Sequence, residues 1–422
     1  MNPAGDYSMA YVTLHTSDPA LNGHGMTFTI GRGNDLCCQA ISTLATRLHS
    51  KPLSTLTSNF ARTWRWLNGD SQTRWVGPDK GVIHLALAAV VNAIWDLHAR
   101  SLKVPLWEHL VGLSAEELVA CLDFKYLSDA VTAEEAVALI KASEKGRAER
   151  LEKVRRNQAV RAYTTSPGWL GYDDAKLRTL CQGAKEDGFT HVKMKVGVTV
   201  EDDVRRLGIA REVLGEDTVL MVDANQVWDV AQAVEWMKQL AVFRPWFIEE
   251  PTMPDDVLGH KRIREELKGM GIGVATGEMC ANRVMWKQIF QAGAVDVAQL
   301  DCCRLGGVNE VLVVLVMAKK FGTQVVMHSG GVGLPELTVQ MSIVNFVLFG
   351  EEEGLLEWQS AGGTSFVEPA RCENGFFVRP EMEGYGILMK EGVVEEYGFP
   401  EGRFWTSEEG LRIKTEDGGN FK

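Results

Sequence analysis

Lys195, Asp223, Glu249, Glu278, Asp301, His328 and Glu357 follow one another at intervals of 23 to 29 residues. Each lies at or beside the end of a short apolar run: HVKMKV (191–196), VLMVDA (219–224), WFIEEP (246–251), GVATGE (273–278), VAQLD (297–301), QVVMHS (324–329) and LLEW (355–358). Such runs read as buried strands, and the interval suits one strand plus one helix. A single acid in this place also suits capping of the helix that follows. Seven ionisable groups in phase put a row of them along one rim. Asp223, Glu249 and Glu278 fall on three neighbouring runs. Three carboxylates that converge repel one another unless a cation lies between them, and all-oxygen ligation selects a hard ion such as Mg²⁺. The alternative is that Glu249, or its neighbour Glu250, pairs with an arginine or lysine.

Lys193 and Lys195 are two apart, so on a strand both ammonium groups face the same side. Mutual repulsion and a nearby cation are expected to lower their pKa values, which suits a lysine base near neutral pH. Two snorkelling surface lysines are the plainer alternative. His328 on its own reads as a core histidine, but Asp301 one unit earlier is placed to accept its Nδ1–H and raise its pKa. A lysine on one side and a His–Asp pair on the other make two facing acid/base groups. They suit removal of a proton α to a carboxylate, with Glu357 a hydrogen-bond partner if protonated.

The elements that must position these groups alternate. After residue 160, β-branched runs and amphipathic helices succeed each other with short loops, which implies parallel strands and right-handed crossovers. A closed (β/α) barrel fits the number of units better than an open doubly wound sheet, and it builds its active site at the C-terminal rim of the strands. Asp229 is placed to cap the helix that follows it. Before residue 160 the texture is mixed: Tyr11–Thr16 and Met26–Ile30 read as strands, 82–102 as a buried apolar helix and 141–160 as a charged, solvated helix.

The chain has 422 residues, 45% hydrophobic and 24% charged, with a net charge of −12, so a large packed core is expected and a basic nucleic-acid face is not. The longest uninterrupted apolar run, Val311–Ala318, is far short of a bilayer span, and the first residues lack a secretory pattern. Eight cysteines without a C-x-x-C pair favour free thiols, a reducing compartment and a cytoplasmic location. Cys302-Cys303 read as barrel packing, and Gly31-Arg32-Gly33 lacks the strand–turn–helix setting of a dinucleotide site.

Together, K-M-K at 193–195, V-D-A-N-Q at 222–226, I-E-E-P at 248–251, T-G-E at 276–278, Asp301 and His328 resemble the mandelate-racemase-like subgroup of the enolase superfamily. Trp95-Asp96-Leu97 with Val104-Pro105-Leu106-Trp107 resembles that family's capping-domain signature. The resemblance implies a modified TIM-like (β/α) barrel at 159–375, an N-terminal α+β capping domain at 1–158, and a segment at 376–422 that packs back on the cap. The strings FTIGRGND (28–35), SQTRWVGPDKGVIH (71–84), AYTTSPGWLGY (162–172), EEPTMPDDVLGH (249–260), GEMCANRV (277–284) and HSGGVGLPE (328–336) narrow it further. They are similar to sugar-acid dehydratases acting on L-galactonate, ranked first, or L-fuconate. By that resemblance Lys195 removes the C2 proton and Lys193 holds the carboxylate. His328, with Asp301, protonates the departing C3 hydroxyl, and Asp223, Glu249 and Glu278 hold one Mg²⁺. Asn225, Tyr7 and Arg32 contact the substrate. The partner is then a small sugar acid, with neither nucleic acid nor membrane, and the assembly a homo-oligomer.

Two departures from the family are expected to affect substrate binding. The chain starts at Met1-Asn2-Pro3, so the family's first strand and half its lid have no counterpart. WQSAGGTSF (358–366) stands where the family is His-rich. The competing readings are a racemase or epimerase on the same acid/base pair and an inactive truncated paralogue. A muconate-type cycloisomerase is disfavoured because it would place a lysine where Asp301 stands.

Overall fold

The structure is a computed structural model and describes residues 7–77, 79–350, 354–358 and 365–416. The chain start and 359–364, where the two departures were expected, lie outside the described residues. Two antiparallel strands open the chain, β1 (Ser8–His15) and β2 (Asn22–Thr29), in a register that sets Tyr11 opposite Met26. The 22-residue helix Gly81–Leu102 packs on them. It is long and apolar enough to cross a bilayer, a point that counting uninterrupted apolar residues misses, but most of it is buried in the fold. Its Trp95 stacks on Phe60 at 3.5 Å.

Eight parallel strands follow: β3 (Val160–Thr164), β4 (His191–Lys195), β5 (Val219–Asp223), β6 (Phe247–Glu249), β7 (Gly273–Thr276), β8 (Val297–Ala298), β9 (Gln324–Val325) and β10 (Gly354–Trp358). They pair in chain order; β10 returns to β3, and a bridge from Met327 to Leu356 closes the ring. This is a (β/α) barrel with a capping domain. A single helix such as Val200–Leu214 or Val308–Phe321 links each strand to the next, β3 being joined to β4 through Asp174–Glu186. Alternation along the strands sorts the side chains. In β4 Val192 and Met194 join the core under the helices, while Lys193 and Lys195 face the barrel's interior side. Below the rim Tyr163, Met221, Phe247, Ala275, Val297, Val326 and Leu355 form a separate apolar cluster, drawn from every strand except β4 and β9, with Val326 just beyond the end of β9.

Four expectations are corrected. The seven runs omit β3, whose VRAYT is the eighth stave. Asp229 sits at the N-cap of helix Val230–Leu240, but its side chain makes no capping hydrogen bond. The charged segment 141–160 is not one solvated helix: it breaks between Ala142 and Arg147, and Arg150 turns inward to the Val347 carbonyl at 2.9–3.0 Å. The barrel sheet also runs past residue 375, because β11 (Cys372–Glu373) and β12 (Phe376–Phe377) form a hairpin whose Phe376 pairs with Arg161. The chain then reaches the cap. Asp96 accepts N–H bonds from His24 (2.8 Å) and Tyr385 (2.6 Å), and Gly384 exchanges backbone bonds with Val104 and Leu106.

Candidate active site

The rim residues do come together. Lys195 Nζ donates to Asp223 Oδ2, and Lys193 Nζ donates to both oxygens of Glu249 at 2.8 Å. Lys193 also lies 3.7 Å from Asp223 and 4.0 Å from Glu357. Across the mouth, His328 Nδ1 and Asp301 Oδ2 are 2.6 Å apart, and His328 Nε2 is 3.5 Å from Glu278. Asp301 is itself fixed, since its Oδ1 accepts the N–H groups of Cys303 (2.6 Å) and Arg304 (2.7 Å). Apart from partly open Glu278 and His328, these side chains are buried.

Burial and neighbours pull the charges in opposite directions. Burial favours neutral lysines, but Glu249 and Glu357 outweigh it at Lys193, and Asp223 does so at Lys195; both pKa values are raised. The expected lowering is therefore corrected: each ammonium group faces a carboxylate, and this attraction outweighs the repulsion between the two lysines. Glu249 rises to about 7, because burial together with Asp223 and Glu278 exceeds the pull of Lys193. Burial pushes Glu250 well above the carboxylate range, with Glu278 and Asp223 adding to it. At Glu357 burial is outweighed by Lys193, the Thr165 hydroxyl and Lys195, so its pKa is lowered and it stays ionised rather than protonated. Burial would lower His328, yet Glu278 and Asp301 raise it to about 9.

Among the described residues no three acids or histidines form a ready metal cage; the lysines stand between them. The donor set nevertheless fits a hard cation. Asp223 and Glu249 end the adjacent strands β5 and β6, Glu278 lies just beyond the end of β7, and among the described residues the buried Oε1 of Glu250 beside them has no hydrogen-bond partner.

The distal contacts are less uniform. Asn225, in left-handed backbone at φ 45°, donates its N–H to Asp223 Oδ1 at 2.8 Å and so stands beside the acids. Tyr7, partly exposed, lies with its ring 5.7 Å from that of Phe28, and its pKa is raised by burial and by Glu357. Arg32 occupies an exposed turn between β2 and helix Asn34–Ala45, so the strand–turn–helix setting expected to be lacking at Gly31-Arg32-Gly33 is present, within the cap. Sequence reasoning missed three groups that shape the site. Gln299 donates to Glu249 at 2.6 Å, Thr165 donates to Glu357, and the Trp169 ring lies 5.5 Å from Lys195 Nζ. Gln299 sits two before Asp301 on the same run, so strand alternation was the signal for it.

Residues 176–393 match the family described as enolase C-terminal domain-like. The chain belongs to that family. Over 98% of its length it is 54% identical to L-galactonate dehydratase of Hypocrea jecorina, covering 93% of that protein. It is 44% identical to human mitochondrial enolase superfamily member 1, whose crystal structure superposes with a TM-score of 0.93 over 95% of this chain and 92% of that one. A more distant neighbour, L-talarate dehydratase from Polaromonas sp. JS666 crystallised with Mg and L-glucarate, is 22% identical. It shares the fold at a TM-score of 0.69, over 91% of this chain and 90% of that one. Within the enolase family, then, the barrel and cap described above are the common scaffold.

Proposed function

We propose that the protein is an acid-sugar dehydratase that removes water from L-galactonate to give a 2-keto-3-deoxy sugar acid. The observation that carries this reading is the pairing, in one barrel mouth, of Lys195 with a His328–Asp301 dyad, in a chain 54% identical to an L-galactonate dehydratase. Lys195, as the neutral amine, takes the C2 proton as the C2–H bond breaks. Lys193 balances charge on the substrate carboxylate. His328, oriented by Asp301, gives a proton to the C3 hydroxyl as the C3–O bond breaks and water leaves. The enol product ketonises in solution or in the site. Asp223, Glu249 and Glu278 would hold Mg²⁺, which supplies Lewis-acid stabilisation of charge developing on the carboxylate. Asn225, Tyr7 and Arg32 complete the substrate contacts in this reading, and Glu357 supports Lys193. A cytoplasmic homo-oligomer belongs to the same reading and is checked by fractionation and light scattering.

The test is incubation of purified protein with Mg²⁺ and a panel of aldonic acids, scored for 2-keto-3-deoxy product. Product from L-galactonate, lost in EDTA and in Lys195→Met, is the expected result. Product from L-fuconate alone would reassign the substrate. Inversion at C2 without loss of water would replace the dehydratase by an epimerase. No turnover of any acid by folded, Mg²⁺-binding protein would overturn the reading in favour of an inactive paralogue.

A further inference from the structure

One turn of helix Val200–Leu214 grips the end of β4. Asp203 and Arg206 are 0% and 1% exposed. Arg206 Nη1 donates to the Lys195 carbonyl, and its Nη2 donates to the carbonyls of Gly168 (2.6 Å) and Trp169 (3.0 Å). Asp203 Oδ2 accepts the Gly197 N–H at 2.8 Å and the indole N–H of Trp236 at 2.9 Å. The two side chains thus hold the backbone on either side of Val196, and with it the loop that carries Trp169. The gripped backbone has little slack. A Cβ at Gly168 would stand 2.1 Å from the Lys193 carbonyl oxygen, and Gly197, at φ +107°, would set one 2.6 Å from Val227.

This arrangement is costly to bury. Arg206 Nη1 is 3.9 Å from Asp203 Oδ1, and neither Arg206 Nε nor Asp203 Oδ1 has a hydrogen-bond partner among the described residues. For stability alone, apolar residues of similar volume often serve as well as a buried ion pair. What an apolar pair cannot do is direct a guanidinium fork at three carbonyls, one at the end of β4 and two in the Trp169 loop.

We propose that Arg206, seated on Asp203, is a positioning residue for proton abstraction: it fixes where Lys195 and Trp169 stand relative to the substrate's C2–H. It touches no substrate and acts only through the backbone of β4 and the Trp169 loop. The proposal deepens the dehydratase reading and rests on it.

Arg206→Lys keeps the charge and removes the fork; Arg206→Met removes both. Three readouts are taken on wild type and both variants: kcat and KM for L-galactonate, the isotope effect with C2-deuterated substrate, and amide hydrogen exchange. Arg206→Lys is expected to lower kcat about 10- to 100-fold, the scale of a misplaced catalytic group, with KM changed by less than about 3-fold. The isotope effect rises because proton abstraction becomes slower than the steps after it. Exchange quickens in 165–170 and 196–199 but not in helix Leu334–Phe349. Wild-type kcat and exchange in a folded Arg206→Lys protein would overturn the proposal. So would a kcat loss with an unchanged isotope effect and faster exchange throughout the barrel, the mark of general loosening. If wild-type protein turns over no acid, the dehydratase reading falls, and local exchange in 165–170 and 196–199 still decides whether the clamp exists.

Discussion

Lys195 and His328 differ in what surrounds them, and the difference predicts which half of the reaction each variant loses. Lys195 has Asp223 and the Trp169 ring beside it; His328 is bonded through Nδ1 to Asp301, so Nε2 faces the mouth. Lys195→Met is expected to lose turnover by about 10²–10⁴-fold, the usual weight of a general base, together with exchange of the C2 hydrogen in D₂O. His328→Asn is expected to lose water elimination by a similar factor while C2 exchange continues, read by proton NMR. Asp301→Asn leaves the ring in place but removes the charge that supports its protonated form. Its elimination rate is expected to fall about 10- to 100-fold, measured beside the same C2 exchange. The ionisable members of the site were legible because their chemistry is written in their residue types and their spacing repeats the length of a βα unit. Gln299 and Thr165 were not: an amide or hydroxyl has many uses, and only the pairing of β6 with β8 through β7, and of β3 with β10, brings these two to Glu249 and Glu357.

At the scale of elements, helix Val308–Phe321 joins cap and barrel through one carboxylate. Glu310 accepts from the N–H groups of Gly306 (2.6 Å) and Arg283 (3.0 Å), lies 2.7 Å from His84 Nε2 of the capping helix, and is paired with the Arg283 guanidinium at 3.1 Å. Glu310→Ala leaves Arg283 and His84 without this partner and is expected to cost about 3–5 kcal/mol in urea unfolding. Burial would raise the Glu310 pKa, but His84, Arg283 and the backbone N–H outweigh it and take it to about 2, below its usual 4.5. A depressed carboxylate stabilises the fold above its unfolded pKa and loses that contribution as pH falls through the folded one. Stability is therefore expected to fall from pH about 4.5 toward about 2, and Glu310→Gln to flatten that part of the acid-unfolding curve. Strand periodicity alone could not foresee this hub, since its members come from residues 84, 283, 306 and 310 and meet only when the cap docks.

For the whole molecule, burial lowers His24 to about 4, with Arg100 and His15 adding to it, and lowers His98 to about 4 with help from His109. Both rings are neutral in the fold and charge more readily once it opens. The unfolded chain then binds more protons between pH about 6.5 and about 4, so stability falls as pH drops through that window. The urea midpoint is expected to decline there, and His24→Gln or His98→Gln to shallow the slope. The sequence by itself determined the succession of parallel strands and covering helices, because strand and helix periods alternate at a βα repeat and each strand's alternation sends one set of residues inward. It determined the ionisable rim for the same reason. Only the tertiary structure decided which charges neutralise which: Lys193 with Glu249, Lys195 with Asp223, His328 with Asp301. It also supplied β3 as the closing stave and showed that Arg206 reaches the Lys195 carbonyl. The physical reason is that electrostatic and hydrogen-bond energies depend on separations of a few ångströms, and chain spacing fixes those only within one element.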